Sequence, residues 1–98
     1  NNYAYRLWIE GKSLRKAEKL SRRAIELKPD NPSYLDTYGW ILHLLGKDAE
    51  AKAIFKHCMV YGGTEHVEVL LHYSEVLKAL GENDLARYYR QLYESKNK

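Results

Sequence analysis

Glycines at positions 11, 46 and 81 are spaced by 35 residues, and alanines at 17, 51 and 86 follow them at nearly the same interval. The stretches EGKSLRKAEKL, LGKDAEAKAIF and LGENDLARYYR share one layout: a glycine, a short polar turn, then an alanine. A unit of about 35 residues holds two helices and their connections, and cannot enclose a core of its own. Successive units must therefore stack, and each supplies half of its neighbour's interior. This one spacing confines a chain of 98 residues to an all-α arrangement of short, antiparallel helix pairs.

The punctuation agrees. Both prolines fall in KPDNP, where Pro29 ends one helix, Asn31 caps the next and Pro32 takes its first position. Gly11, Gly46, Gly62 and Gly81 read as helix C-terminal residues, and Ser13, Asn31, Thr64 and Asn83 as N-caps. Between these marks lie segments rich in Leu, Ala, Lys, Arg, Glu and Tyr, which are helix compositions. No strand-like alternation lasts more than a few residues. The expected helices run roughly over 2–10, 14–28, 32–45, 48–61, 65–80 and 84–96. They form one domain over 1–98, divided into units 1–31, 32–63 and 64–98. The chain opens NNYAYRLW, close to the first turn of a helix and without Met, so its start reads as cut from a longer protein. The polar tail ESKNK reads as a natural end.

The period and its residues resemble the tetratricopeptide repeat (TPR) family over the whole chain. In the second unit Leu35, Tyr38, Gly39 and Leu42 occupy the places of that family's first-helix Trp, Leu, Gly and Tyr, and Ala51, Phe55 and Cys58 those of its second-helix Ala, Phe and Ala. Leu70, Tyr73, Ser74, Leu77, Gly81 and Ala86 follow in the third unit; Tyr3, Ala4, Leu7, Gly11, Ala17 and Ala24 follow in the first. The likeness implies a right-handed solenoid that binds proteins. It is similar in detail to the C-terminal repeats of long bacterial TPR proteins, which favours a cell-envelope location over the cytoplasm. Three departures stand out. One extra residue lies between Gly11 and Ala17, Gly62-Gly63 replaces the usual acidic-Pro turn, and Arg90 stands where a Phe is expected. An arginine there suits a terminal helix with a polar outer face.

Composition narrows the function. A net charge of +3 is too small to imply nucleic acid, and no apolar run approaches the ~18 residues that span a bilayer. The single cysteine, Cys58, allows no internal disulfide. It lies on the small-residue stripe with Ala51, Ile54 and Phe55 and reads as an inert buried thiol. His43, His57, His66 and His72 form no metal or triad motif. Glu68 and His72 are an i,i+4 pair that reads as solvated. YGGTEH has no lysine and is a turn, not a phosphate loop. No catalytic residue, cofactor or metal is therefore expected, and the chain reads as non-enzymatic.

Two surfaces remain. Arg15, Lys19, Arg22 and Arg23 cluster on one side of the 14–28 helix, opposite an apolar side of Ala17, Leu20, Ala24 and Leu27. This basic convex face is either a solvated surface or a contact for an acidic partner. Without interleaved aromatics it gives no support to nucleic acid.

The second surface starts from Trp40. At 100° per residue, Leu35 (0°), Leu42 (about −20°), Tyr38 (about −60°), Leu45 (about −80°) and Gly39 (about +40°) form one packing stripe. Trp40 lies near 140°, beside Asp36, His43 and Leu44. By the TPR likeness this second face lines a concave groove, joined by Tyr5 and Trp8 from the first unit and Leu71, Glu75 and Lys78 from the third. Such a groove suits a peptide or partner helix. The family's carboxylate-clamp residues are missing: Tyr5, Thr37, Glu68 and His72 stand in their places. Trp40 is open to two readings, a groove residue or a wedge between adjacent first helices. A third has the aromatics meeting missing repeats or a second copy, by self-association through the truncated N-terminal face. Against the groove stands a structural alternative, a C-terminal cap of a longer solenoid with no ligand of its own.

Overall fold

A computed structural model describes residues 14–96. Among them the chain forms five helices joined by short turns, with no strand: α1 (Leu14–Leu27), α2 (Pro32–Leu44), α3 (Asp48–Val60), α4 (Val67–Ala79) and α5 (Asn83–Lys96). The helix expected over 2–10, with Gly11 and Ser13, lies outside the described residues.

The KPDNP boundary behaves as its chemistry requires. Asn31 has an extended backbone (φ −81°, ψ 115°) and Pro32 follows at the first helical position. The Asn31 side-chain oxygen accepts the Tyr34 N–H at 3.1 Å, satisfying one of the donors that a helix start leaves bare. Helices α2 and α4 end in matching left-handed caps. Gly46 and Gly81 both have φ 80°, where a Cβ is strained. Gly46 N–H donates to the His43 carbonyl at 2.9 Å and Lys47 N–H to that of Leu42 at 2.8 Å. Thirty-five residues on, Gly81 N–H donates to Lys78 at 3.0 Å and Glu82 N–H to Leu77 at 2.9 Å.

Two expected caps are corrected. The fourth long helix begins at Val67 rather than 65, because Gly63–Glu65 form a single 3-10 turn and His66 becomes the N-cap, without a side-chain bond. Thr64 is thus inside the turn. Asn83 is the first residue of α5, and the preceding Glu82 carbonyl accepts the Ala86 N–H at 3.0 Å.

Each helix packs on its successor, and α2 also touches α4 across the intervening α3. The main core is built from Leu35, Tyr38 and Leu42 of α2, Ala51, Phe55 and Cys58 of α3, Val69, Tyr73, Val76 and Leu77 of α4, and Ala86 of α5. Positions 35 apart are buried alike: Leu35 with Leu70, Tyr38 with Tyr73, Gly39 with Ser74, Leu42 with Leu77, Ala51 with Ala86. Phe55 and Arg90 break the rule most sharply: Phe55 is fully buried, whereas the Arg90 side chain is half exposed and pairs with Glu94 at 3.3 Å.

Phe55 fixes the spacing of α2 and α3. A Cβ on Gly39 would lie 2.7 Å from its ring, so the glycine lets the ring lie directly against the α2 backbone. Phe55 also stacks on Tyr73 (centroids 5.8 Å apart), and Tyr73 meets the Tyr89 ring at a tilt (4.8 Å, 42°). One aromatic file thus ties α3, α4 and α5 together.

Helix α1 is rotated from its expected orientation. Its buried residues are Ala17, Glu18 and Ser21, and Ile25 packs on the main core. Leu20 and Ala24 are only half-buried and Leu27 is 79% exposed. The polar residues tolerate the interior because they are satisfied. Ser21 Oγ donates to the Ala17 and Glu18 carbonyls at 2.9 and 3.0 Å. Glu18 receives Arg22 at 3.0 Å and Lys47, from the turn after α2, at 3.3 Å.

Candidate functional site

The second face of α2 meets α4. Asp36, Trp40, His43 and Leu44 project from α2, and Leu71, His72 and Glu75 from α4; all seven are half-buried, and Lys78 at the α4 end is exposed. Asp36 and Trp40 are one helical turn apart, and Leu71, Glu75 and Lys78 recur at i, i+4 and i+7, so each set shares a face. Tyr5 and Trp8 lie outside the described residues, and with them the face expected to self-associate.

His72 organises the strip, and the sequence reading does not select it for the groove. Its Nδ1 lies 2.8 Å from Asp36 Oδ1, joining residues 36 apart. Its ring stacks on Trp40 with centroids 4.3 Å apart and planes 25° apart. The expected Glu68–His72 pair is not formed: the imidazole turns inward to α2 instead. On the other side of Trp40, the His43 ring tilts at 4.8 Å, and its own Nδ1 is bonded to Asp48 Oδ1 at the start of α3. Trp40 is thus held between two imidazoles, each anchored by a carboxylate, and also packs on the main core. It is a wedge between α2 and α4 whose remaining surface belongs to the strip. The helical wheel isolates Trp40 because it counts only neighbours on its own helix. The signal that identifies His72 is its place three residues before Glu75, on the same side of α4.

An ionised carboxylate only accepts, so the Nδ1 atoms of His43 and His72 carry the protons when the rings are neutral. That leaves each Nε2 as an acceptor. Among the described residues neither Nε2 makes a hydrogen bond.

The basic face of α1 is partly spent within the fold. Arg15, Lys19 and Arg23 are exposed. Arg22 instead turns back, donating to Glu18 Oε2 at 3.0 Å and to the Tyr38 hydroxyl at 3.3 Å. Beside it lies a shallow depression of about 460 Å³ lined by Lys16, Lys19, Leu20, Arg22, Arg23 and Glu26.

Cys58 is fully buried, with its Sγ 3.5 Å from the Pro32 carbonyl. Burial, with a smaller contribution from the charge of Asp36, pushes its pKa up to about 12, so it is a thiol near neutral pH. Among the described residues no three His, Cys, Asp or Glu side chains converge as metal ligands, and no helix is long and apolar enough to cross a membrane.

Compared with known families and curated proteins, the chain matches no family model, and no curated sequence is significantly similar to it. The class that the described residues define is an all-α domain of five helices, each packed on its neighbours.

Proposed function

We propose that this chain is a three-repeat TPR-type solenoid segment acting as a non-catalytic interaction scaffold, with a peptide or partner helix held along the strip between α2 and α4. The repeat reading is supported by the matching caps at Gly46 and Gly81 and by buried positions that recur at 35 residues.

The observation that carries the functional reading is the composition of the strip. Half-buried apolar and polar side chains from two helices, Trp40, Leu44, Leu71, Asp36, His43, His72 and Glu75, lie together on one side of the domain. Apart from Trp40, which also packs on the main core, none of them belongs to the core cluster. Aromatic and aliphatic anchors with polar groups between them are what an interface core presents.

Trp40→Ala is a poor test, because it removes a wedge that holds α2 to α4. Lys78→Glu is a better one, since Lys78 is exposed at the end of the strip. Capture from the source cell with the full-length protein should recover a partner that Lys78→Glu loses and Leu85→Arg, on the exposed side of α5, retains. Equal recovery with both variants contradicts the strip as the binding surface. If wild type recovers nothing, the reading as a ligand-free cap stands instead.

A further inference from the structure

A shallow depression of about 290 Å³ lies between α4 and α5. The buried Ser74 and Ala86 form its floor, and Glu75, Lys78, Arg87 and Arg90 line it above them. Each of these six has a counterpart 35 residues earlier: Gly39 and Ala51 for the floor, and Trp40, His43, Lys52 and Phe55 in the same order for the rest. In the second unit that surface is where α4 sits on α2 and α3. His72 stacks on Trp40 with centroids 4.3 Å apart, and Tyr73 on Phe55 at 5.8 Å. Glu82, just past the end of α4, pairs with Lys52. The depression is thus the third unit's copy of a helix seat that the second unit fills.

The copy keeps the shape of the seat and changes its chemistry. Its floor is small, as in the second unit, but Glu75 replaces Trp40, Lys78 replaces His43 and Arg90 replaces Phe55; Arg87 keeps the cation of Lys52. All six counterparts in the second unit are buried or half-buried, whereas Lys78, Arg87 and Arg90 are exposed. The lining carries three cations and one carboxylate. Asp84 and Glu94 flank it on α5, at 3.5 Å from Arg87 and 3.3 Å from Arg90, and Glu75 lies 3.8 Å from Arg90, beyond hydrogen-bond length. A guanidinium has five N–H donors, so each arginine engages a neighbour on its own helix and still has donors for a second carboxylate.

We infer that the depression between α4 and α5 seats an acidic helix of a partner protein, packed there as α4 is packed on α2 and α3. Charge complementarity selects the occupant. An apolar helix would desolvate Lys78, Arg87 and Arg90 without bringing carboxylates to them. A basic one, such as the α1 of a second copy, would meet like charge. The filled seat also supplies a spacing. Tyr73, which meets Phe55, and Glu82, which meets Lys52, are nine residues apart in the chain. Carboxylates at that separation on the occupant reach Arg90 and Arg87. The seat has an occupant of its own and does not depend on binding at the α2–α4 strip: Glu75 and Lys78 border both surfaces, but Arg87 and Arg90 belong to the depression alone.

NMR titration of the isotope-labelled intact chain tests this with two short helical peptides of alanine and leucine. One carries two glutamates nine residues apart, and the other has glutamines in their places. The glutamate peptide should shift the Arg87 and Arg90 Nε–H signals and the Ser74 and Ala86 amides, and should bind more weakly as salt rises. Arg87 is 67% exposed, so Arg87→Gln should keep the wild-type Tm while weakening the glutamate peptide roughly twofold to fivefold, the scale of one partly exposed ion pair. Equal binding of the glutamine peptide, binding of neither, or an affinity unchanged by both Arg87→Gln and Arg90→Gln overturns the inference. Shifts confined to Arg15, Lys19 and Arg23 also overturn it, because the acidic peptide then sits on α1. Concentration-dependent shifts at Ser74 and Ala86 without any peptide do the same, since a second copy is then the occupant.

Discussion

Replacing Gly39 with alanine should destabilise the domain, although alanine is the better helix former. In an open helix the change is worth about 0.5–1 kcal/mol in favour of alanine. At this position the new Cβ would sit 2.7 Å from Phe55 Cε2 and 3.0 Å from Cζ. Phe55 is fully buried and stacked on Tyr73, so its ring has no free space to retreat into. Forcing one extra carbon into such a core costs about 1–3 kcal/mol. The net loss is about 0–2.5 kcal/mol, centred near 1 kcal/mol, a fall in Tm of roughly 4–8 °C for each kcal/mol in a domain of this size. Thermal and urea unfolding followed by circular dichroism measure it. A double-mutant cycle with Phe55→Leu isolates the cause, because the smaller side chain should absorb part of the alanine penalty. An unchanged or raised Tm for Gly39→Ala, or strict additivity in the cycle, would refute the claim that this glycine sets the α2–α3 spacing.

Other consequences follow from single features. Asn31→Ala removes the oxygen that accepts the Tyr34 N–H and should cost about 1 kcal/mol in urea unfolding; a change within error would mean that the proline alone starts α2. Cys58 should resist a thiol reagent in the native state near neutral pH and react only at the rate of unfolding, because it is buried and its pKa is raised; rapid labelling of folded protein would contradict that burial. Alkaline stability should also fall. Burial foremost raises both Cys58 and Tyr73 to about 12, from 9.0 and 10.0, so the unfolded chain loses those protons first. Stability from the neutral groups is complete below about pH 9 and is lost as pH rises toward 12. Melting curves across that range check the sign, and a rise in Tm would be the wrong one.

The sequence is informative where local chemistry and periodicity act together. Asn31-Pro32 locates the start of α2, Gly46 and Gly81 locate two helix ends, and the stripe of Leu35, Tyr38, Gly39 and Leu42 faces inward as its spacing requires. It misleads where a side chain's fate depends on a distant partner. Glu18 is buried because Lys47, 29 residues away, joins Arg22 at its carboxylate, a pairing that no pattern within α1 reports. Leu20 and Leu27 give α1 an apparent apolar side, yet the satisfied polar groups of Glu18 and Ser21 turn a different face inward. His72 looks like the partner of Glu68, but the contact that fixes it comes from Asp36 on another helix. No pattern within one helix reports that pairing, and so the strip's members on α2 are easier to recognise than its organiser on α4. The two-glycine turn before α4 likewise hides a 3-10 turn that delays the helix to Val67.

The most direct test of the central claim is an amide NMR footprint of the captured partner's binding segment on the isotope-labelled chain. The proposed function predicts shift changes centred on Asp36, Trp40, His43, Leu71, His72 and Glu75, with the exposed Arg15, Lys19 and Arg23 side of α1 and the Leu85–Tyr88 side of α5 little changed. Changes confined to α1 or α5, with the α2–α4 strip silent, would contradict it.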